Sequence, residues 1–118
     1  MTTKPQSIET GDDCVLLCFS TAPDLEVAKS IAAQLVERRL AACVSMVPGA
    51  VSMYRWQEKV HCDAEVWLLI KTNRRVCAQL EAAFVELHPY DVPEWLVVET
   101  VSALPAYLRW VFESVTPA

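Results

Sequence analysis

Glycine is scarce: Gly11 and Gly49 are the only two in 118 residues. A phosphate-cradling loop needs glycines so that the backbone can approach its ligand, so no P-loop or dinucleotide fingerprint is present. Positive charge is also short. Ten Lys and Arg stand against fifteen Asp and Glu, giving a net charge of −5 and a pI near 4.9. Nucleic-acid backbones are bound by basic side chains that displace counterions, so this chain is not expected to bind nucleic acid. No run approaches the roughly 20 apolar residues of a membrane span, and no membrane partner is expected. The opening MTTKPQSIETGD has no apolar core segment, so no signal peptide is expected either.

Chemistry-bearing motifs are equally thin. No G-x-S-x-G occurs. An acylphosphatase-type hydrolase would need an arginine in the turn after the first strand, and STAPD (20–24) has none. The chain is therefore expected not to be an enzyme. An RNA-binding sheet would display aromatic and basic residues on its strands. Here Trp67 stands inside an aliphatic run and reads as core. The five cysteines, Cys14, Cys18, Cys43, Cys62 and Cys77, include no C-x-x-C pair. Their odd number and apolar neighbours point to reduced thiols in a cytoplasmic setting. Cys14 and Cys18 share a strand face but lie about 13 Å apart along it, too far to hold one ion. Of the two histidines, His61 falls on a polar strand face, and His88 ends a helix before Pro89.

What is abundant is apolar surface. The hydrophobic fraction is 53%, slightly above the usual range. Residues 1–12 read as a disordered tail and 13–116 as one domain. CVLLCFS (14–20) is a buried strand. Pro23 and Asp24 open a helix whose stripe is Leu25, Ala28, Ile31, Ala32 and Leu35, running to about Arg39. CVSMVPGAVSMYRWQ (43–57) is one strand bent at Pro48-Gly49. Residues 57–59 form a hairpin tip. VHCDAEVWLLIKT (60–72) returns, alternating at first and then solidly apolar. A second helix spans 73–87, with Asn73 as its cap and Val76, Cys77, Leu80, Phe84 and Leu87 inward. WLVVETV (95–101) is a last strand, and Pro105 opens a closing helix. The order predicts an α+β, ferredoxin-like βαββαβ sandwich with an extended β-hairpin and an added C-terminal helix.

In that arrangement the helices cover one sheet face. An antiparallel sheet with one wet face should alternate apolar and polar residues. VLLCF, VWLLI and WLVV do not alternate, so both faces require cover. Self-association through the open face resolves this, with a closed trimer preferred over a dimer.

Between the second helix and the last strand stands LHPYDVPEW (87–95), and the hairpin end reads YRWQEK (54–59). With STAPD, ERRLAACVSMVPGAVSMYRWQEKV (37–60), EVWLLIKT (65–72) and YLRW (107–110), these stretches resemble the CutA divalent-cation tolerance family over residues 14–112. The resemblance implies a PII-like cytoplasmic homotrimer with no established enzymatic activity, linked to copper and other divalent cations. It implies no tightly bound cofactor, and a signature loop that faces a cleft between protomers. Some members carry a cysteine directly before TAPD and two histidines before the Pro-Tyr pair. This chain has Ser20 and Leu87 at those positions. The candidate metal ligands are thus His88 and Cys18. The candidate pocket for a metal ion or small molecule is Tyr54, Trp56, Glu65, Lys71, Tyr90 and Glu94.

Overall fold

A computed structural model describes residues 13–116 and the backbone of residues 8–9. Its elements are β1 (Ile8–Glu9), β2 (Val15–Ala22), α1 (Leu25–Glu37), β3 (Cys43–Trp56), β4 (Lys59–Asn73), α2 (Arg74–Leu87), β5 (Leu96–Glu99), β6 (Ser102–Ala103) and α3 (Pro105–Ser114). Four strands form an antiparallel sheet in the order β3-β4-β2-β5, and β1 pairs with β6 beside it. This is the expected βαββαβ order with a closing helix. Of the expected tail over residues 1–12, the pairing of Ile8–Glu9 with Ser102–Ala103 is described; the rest lies outside the described residues.

Local signals place most boundaries. Asp24 caps α1, its carboxylate accepting the Val27 N–H at 2.8 Å. Ala28, Ile31, Ala32 and Leu35 face the core, while Leu25 is exposed. The helix stops at Glu37, two residues sooner than expected, because Arg39 turns to a positive φ of 61°. In β3 the register slips between Val47 and Ala50, at Pro48 and a Gly49 with φ of 89°. The hairpin tip is tighter than expected. Gln57 and Glu58 both take positive φ, and Lys59 already pairs with Trp56.

Asn73 departs from the expectation. It occupies the cap position of α2 but makes no capping bond with its side chain. The reason is that β4 runs straight into the helix: Asn73 is still paired with Val15 in the ladder and is buried. The last strand is also shorter than expected. β5 ends at Glu99, where Thr100 turns both its N–H and its hydroxyl onto the Val15 carbonyl.

The two sheet faces differ as strand alternation requires. Cys18, Ala22, Val66, Leu68 and Ile70 are buried, packed with Ile31 and Leu35 of α1 and with Val76, Leu80 and Phe84 of α2. The opposite register positions are wetter. Leu17, Phe19 and Leu69 are half-buried, Trp67 is 56% exposed and Leu96 59%. The expectation that Trp67 is core is therefore corrected: it points to the face the two long helices leave open. α3 contacts β2 and β4, with Val111 buried, but covers only part of that face. Beyond the bulge the β3–β4 hairpin projects, drawing the molecule out to 62 × 28 × 23 Å. Val51, Met53 and Val60 stand exposed along it.

Candidate functional site

The loop between α2 and β5 is tied down at both ends by the end of β2. At one end, the buried His88 ring sits with Nε2 2.7 Å from the Thr21 carbonyl. Its Nδ1 accepts the Tyr90 N–H at 3.1 Å, so the proton is on Nε2, which donates to Thr21. The ring also lies 5.1 Å from Phe84 and meets Tyr90 edge-on at 4.7 Å. At the other end, the Ser20 hydroxyl donates to the Glu94 carbonyl at 2.6 Å, and Trp95 packs 4.8 Å from Phe84.

That anchoring sets the loop against the base of the hairpin and leaves a groove of about 710 Å³. Tyr54, Trp56 and Glu65 line it from the hairpin, and Tyr90, Asp91 and Glu94 from the loop. Thr21, Ser52, Met53, Pro89 and Val92 complete the wall. Among the described residues, no Lys or Arg lines it. Tyr54 is held on both sides: its hydroxyl donates to the Asp63 carboxylate, and its ring stacks on His61 at 5.4 Å and 17°. The bond to Asp63, reinforced by slight burial and by the negative charge of Asp63 and Glu65, pushes the Tyr54 hydroxyl up to about 12. Burial raises Tyr90 as well, followed by the charges of Glu65, Asp63 and Asp24. In both cases nearby carboxylates add to the leading cause, the hydrogen bond for Tyr54 and burial for Tyr90.

Five of the six residues expected in a pocket line this groove; Lys71 does not. It lies opposite Cys43 on the open sheet face, donating to Ser45 Oγ at 2.6 Å with its Nζ 3.6 Å from Cys43 Sγ. Asp91 and Thr21 line the groove without having been singled out, although both fall within stretches that drew notice, HPYDVPEW and STAPD.

The two expected metal ligands do not form a centre. Both His88 nitrogens are occupied within the chain. Cys18 is fully buried three residues up the strand from Thr21, its thiol donating to Cys77. That bond first, and burial second, hold Cys18 protonated well above the usual thiol range. A ligating sulfur must be a thiolate and a ligating imidazole needs a free nitrogen. Among the described residues, no three His, Cys, Asp or Glu side chains gather as a metal cluster.

A ferredoxin-like sheet, a projecting hairpin and an acidic, aromatic groove at its base define a small α+β domain. The chain belongs to the CutA1 divalent ion tolerance family, which matches residues 16–114. It is 46% identical over 94 residues to the divalent-cation tolerance protein CutA of Thermus thermophilus, covering 80% of this chain and 91% of that one. The crystal structure of CutA from Xylella fastidiosa superposes with a TM-score of 0.84 at 46% identity, covering 86% of this chain and 98% of that one. CutA from Synechococcus elongatus gives 0.88 at 32% identity, covering 94% and 96%.

Proposed function

We propose that the protein acts in tolerance of divalent cations, copper among them, as a cytoplasmic homotrimer that binds a metal ion or small ligand in grooves at the seams between subunits. The observation that carries this reading is the open sheet face. Val47, Trp67, Leu96 and Val98 expose contiguous apolar surface that the chain's own helices leave bare. Soluble monomers rarely leave more than a few hundred Å² of such surface wet. Closed rotational symmetry covers it with identical patches and leaves no free edge. The hairpin projects beyond the sheet toward a neighbour, carrying the exposed Val51, Met53 and Val60 on its other face, so the groove at its base falls where two subunits meet. With no Lys or Arg lining it among the described residues, and with Glu65, Asp91 and Glu94 present, the groove suits a positively charged guest.

Sedimentation equilibrium at micromolar concentration tests the assembly. The expected mass is three times the 13.2 kDa chain. A stable single chain would end the reading. Native mass spectrometry of protein isolated from its host reports retained ions in the same experiment.

A second reading has its own support. Because His88 and Cys18 are both satisfied internally, the trimer can equally serve as a PII-like signalling or protein-interaction scaffold in which metal is incidental. That reading expects weak, unselective copper uptake; the first expects saturable uptake at the groove, lost in Glu65→Gln with Glu94→Gln.

A further inference from the structure

We propose that the groove is built for an organic cation: a small molecule bearing an ammonium or quaternary ammonium group on an aliphatic body. This rests on the reading of the groove as the ligand site and names the ligand's chemistry.

Size argues first. A volume of about 710 Å³ is far larger than a bare ion requires and falls in the range of small-molecule sites. Coordination argues next. Hard divalent ions need six or more converging oxygens, and soft ones need thiolate or imidazole. Glu65 lines the groove from the hairpin and Asp91 and Glu94 from the loop, and the described residues hold no metal-type cluster. The groove's carboxylates can therefore attract positive charge without providing a coordination shell.

The aromatic residues supply what a bare ion cannot use. Tyr54, Trp56 and Tyr90 line the same groove, each leaving two-fifths or more of its surface exposed. An aromatic face attracts a diffuse, weakly hydrated cation through its quadrupole, and tryptophan does so best. Two of the three rings are already held: Tyr54 by Asp63 and His61, Tyr90 by the edge of His88. Holding the walls before the guest arrives lowers the cost of binding. Pro89 and Val92 offer apolar surface for the body of such a molecule. The charges of Glu65 and Asp63, which add to the raised pKa of both Tyr54 and Tyr90, agree with this. Lys59 pairs with Trp56 across the hairpin but does not line the groove.

Calorimetric titration of the full chain tests the proposal. The probes are choline and benzyltrimethylammonium, with 3,3-dimethylbutanol as the neutral isostere of choline. The expected result is binding of at least one cation, with the isostere about tenfold weaker than choline where choline binds, and a loss of about tenfold in cation affinity in Trp56→Leu. Trp56 is exposed on the hairpin, so unchanged circular dichroism and sedimentation will establish that the variant folds and assembles. Glu94→Gln provides a second variant, because the loop is held by the Glu94 main chain rather than by its carboxylate. Equal affinity for choline and the isostere, or cation affinity unmoved by both variants, would overturn the proposal. Binding of copper(II) lost in Glu65→Gln with Glu94→Gln, with neither organic cation bound, would overturn it while leaving the groove as a ligand site. No binding of any probe, copper included, would remove the groove reading along with it.

Discussion

The Nε2–H of His88 donates to the carbonyl of Thr21, a residue 67 positions earlier, at 2.7 Å. One buried bond thus seats the loop after α2 on the end of β2 and shapes one wall of the groove. Replacing His88 with alanine should cost about 1–3 kcal/mol, because it leaves the Thr21 carbonyl and the Tyr90 N–H without their partner. Urea unfolding measures this. Copper affinity, titrated in parallel at a temperature where both proteins are folded, should stay within about twofold. Unchanged stability with copper binding abolished would show instead that His88 is a ligand.

Trp67→Glu places a charge on the open sheet face. In an assembly that buries this face, the charge would be desolvated without a partner, so association should weaken sharply and sedimentation should move toward single chains. Exposed as Trp67 is within the protomer, the fold itself should tolerate the change, and circular dichroism should stay native-like. An unshifted mass would take this face out of the interface.

Tyr54 titrates late because it donates to an acceptor whose charge opposes its ionisation. Spectrophotometric titration of the Tyr54 hydroxyl should find it still protonated at pH 11 and ionising near 12. In Asp63→Asn the charge is gone, and the midpoint should fall toward the ordinary tyrosine value of about 10. A midpoint that does not move would mean that the hydroxyl is turned away from Asp63 in solution.

Cys77 accepts the Cys18 thiol proton, which lowers its own pKa below the usual thiol value; Arg74 helps, while burial and Glu81 oppose. A lowered pKa means more thiolate at neutral pH, so Cys77 should alkylate faster there than an unperturbed thiol of equal exposure. Cys18→Ala removes the donor. The Cys77 pKa should rise, its alkylation at pH 7 should slow, and the difference should vanish at pH 10, where both forms are ionised. Equal rates at pH 7, followed by peptide mapping, would rule out the pairing.

Much of the frame was legible because it is written in local chemistry. Asp24 is a short acceptor placed three residues before the amide it caps. The α1 stripe repeats with the helical period. Pro48-Gly49 combines a missing donor with a residue free to take positive φ, and the register slips there. Asn73 misled because a cap residue and a strand residue look alike in sequence; the ladder to Val15 decided between them. The candidate site was legible only in outline. Tyr54, Trp56, Glu65, Tyr90 and Glu94 stood out as polar or aromatic groups beside turns, and they share one groove. Lys71 stood out for the same reason and lies elsewhere: it shares the sheet face of Glu65 but sits six residues, about 20 Å, further along the same strand.

The sequence alone determined the order of elements, the bend in the hairpin, the excess of apolar strand surface and the lack of any phosphate cradle or nucleophile motif. Each is a matter of residue type and short-range spacing. Only the tertiary structure decided that Trp67 faces outward, that Cys18 points at Cys77, and that both nitrogens of His88 are taken up by the chain itself. Those outcomes depend on which distant backbone groups arrive beside a side chain. Hydrogen-bond partners 67 residues apart are set by sheet register and helix packing, not by any local pattern.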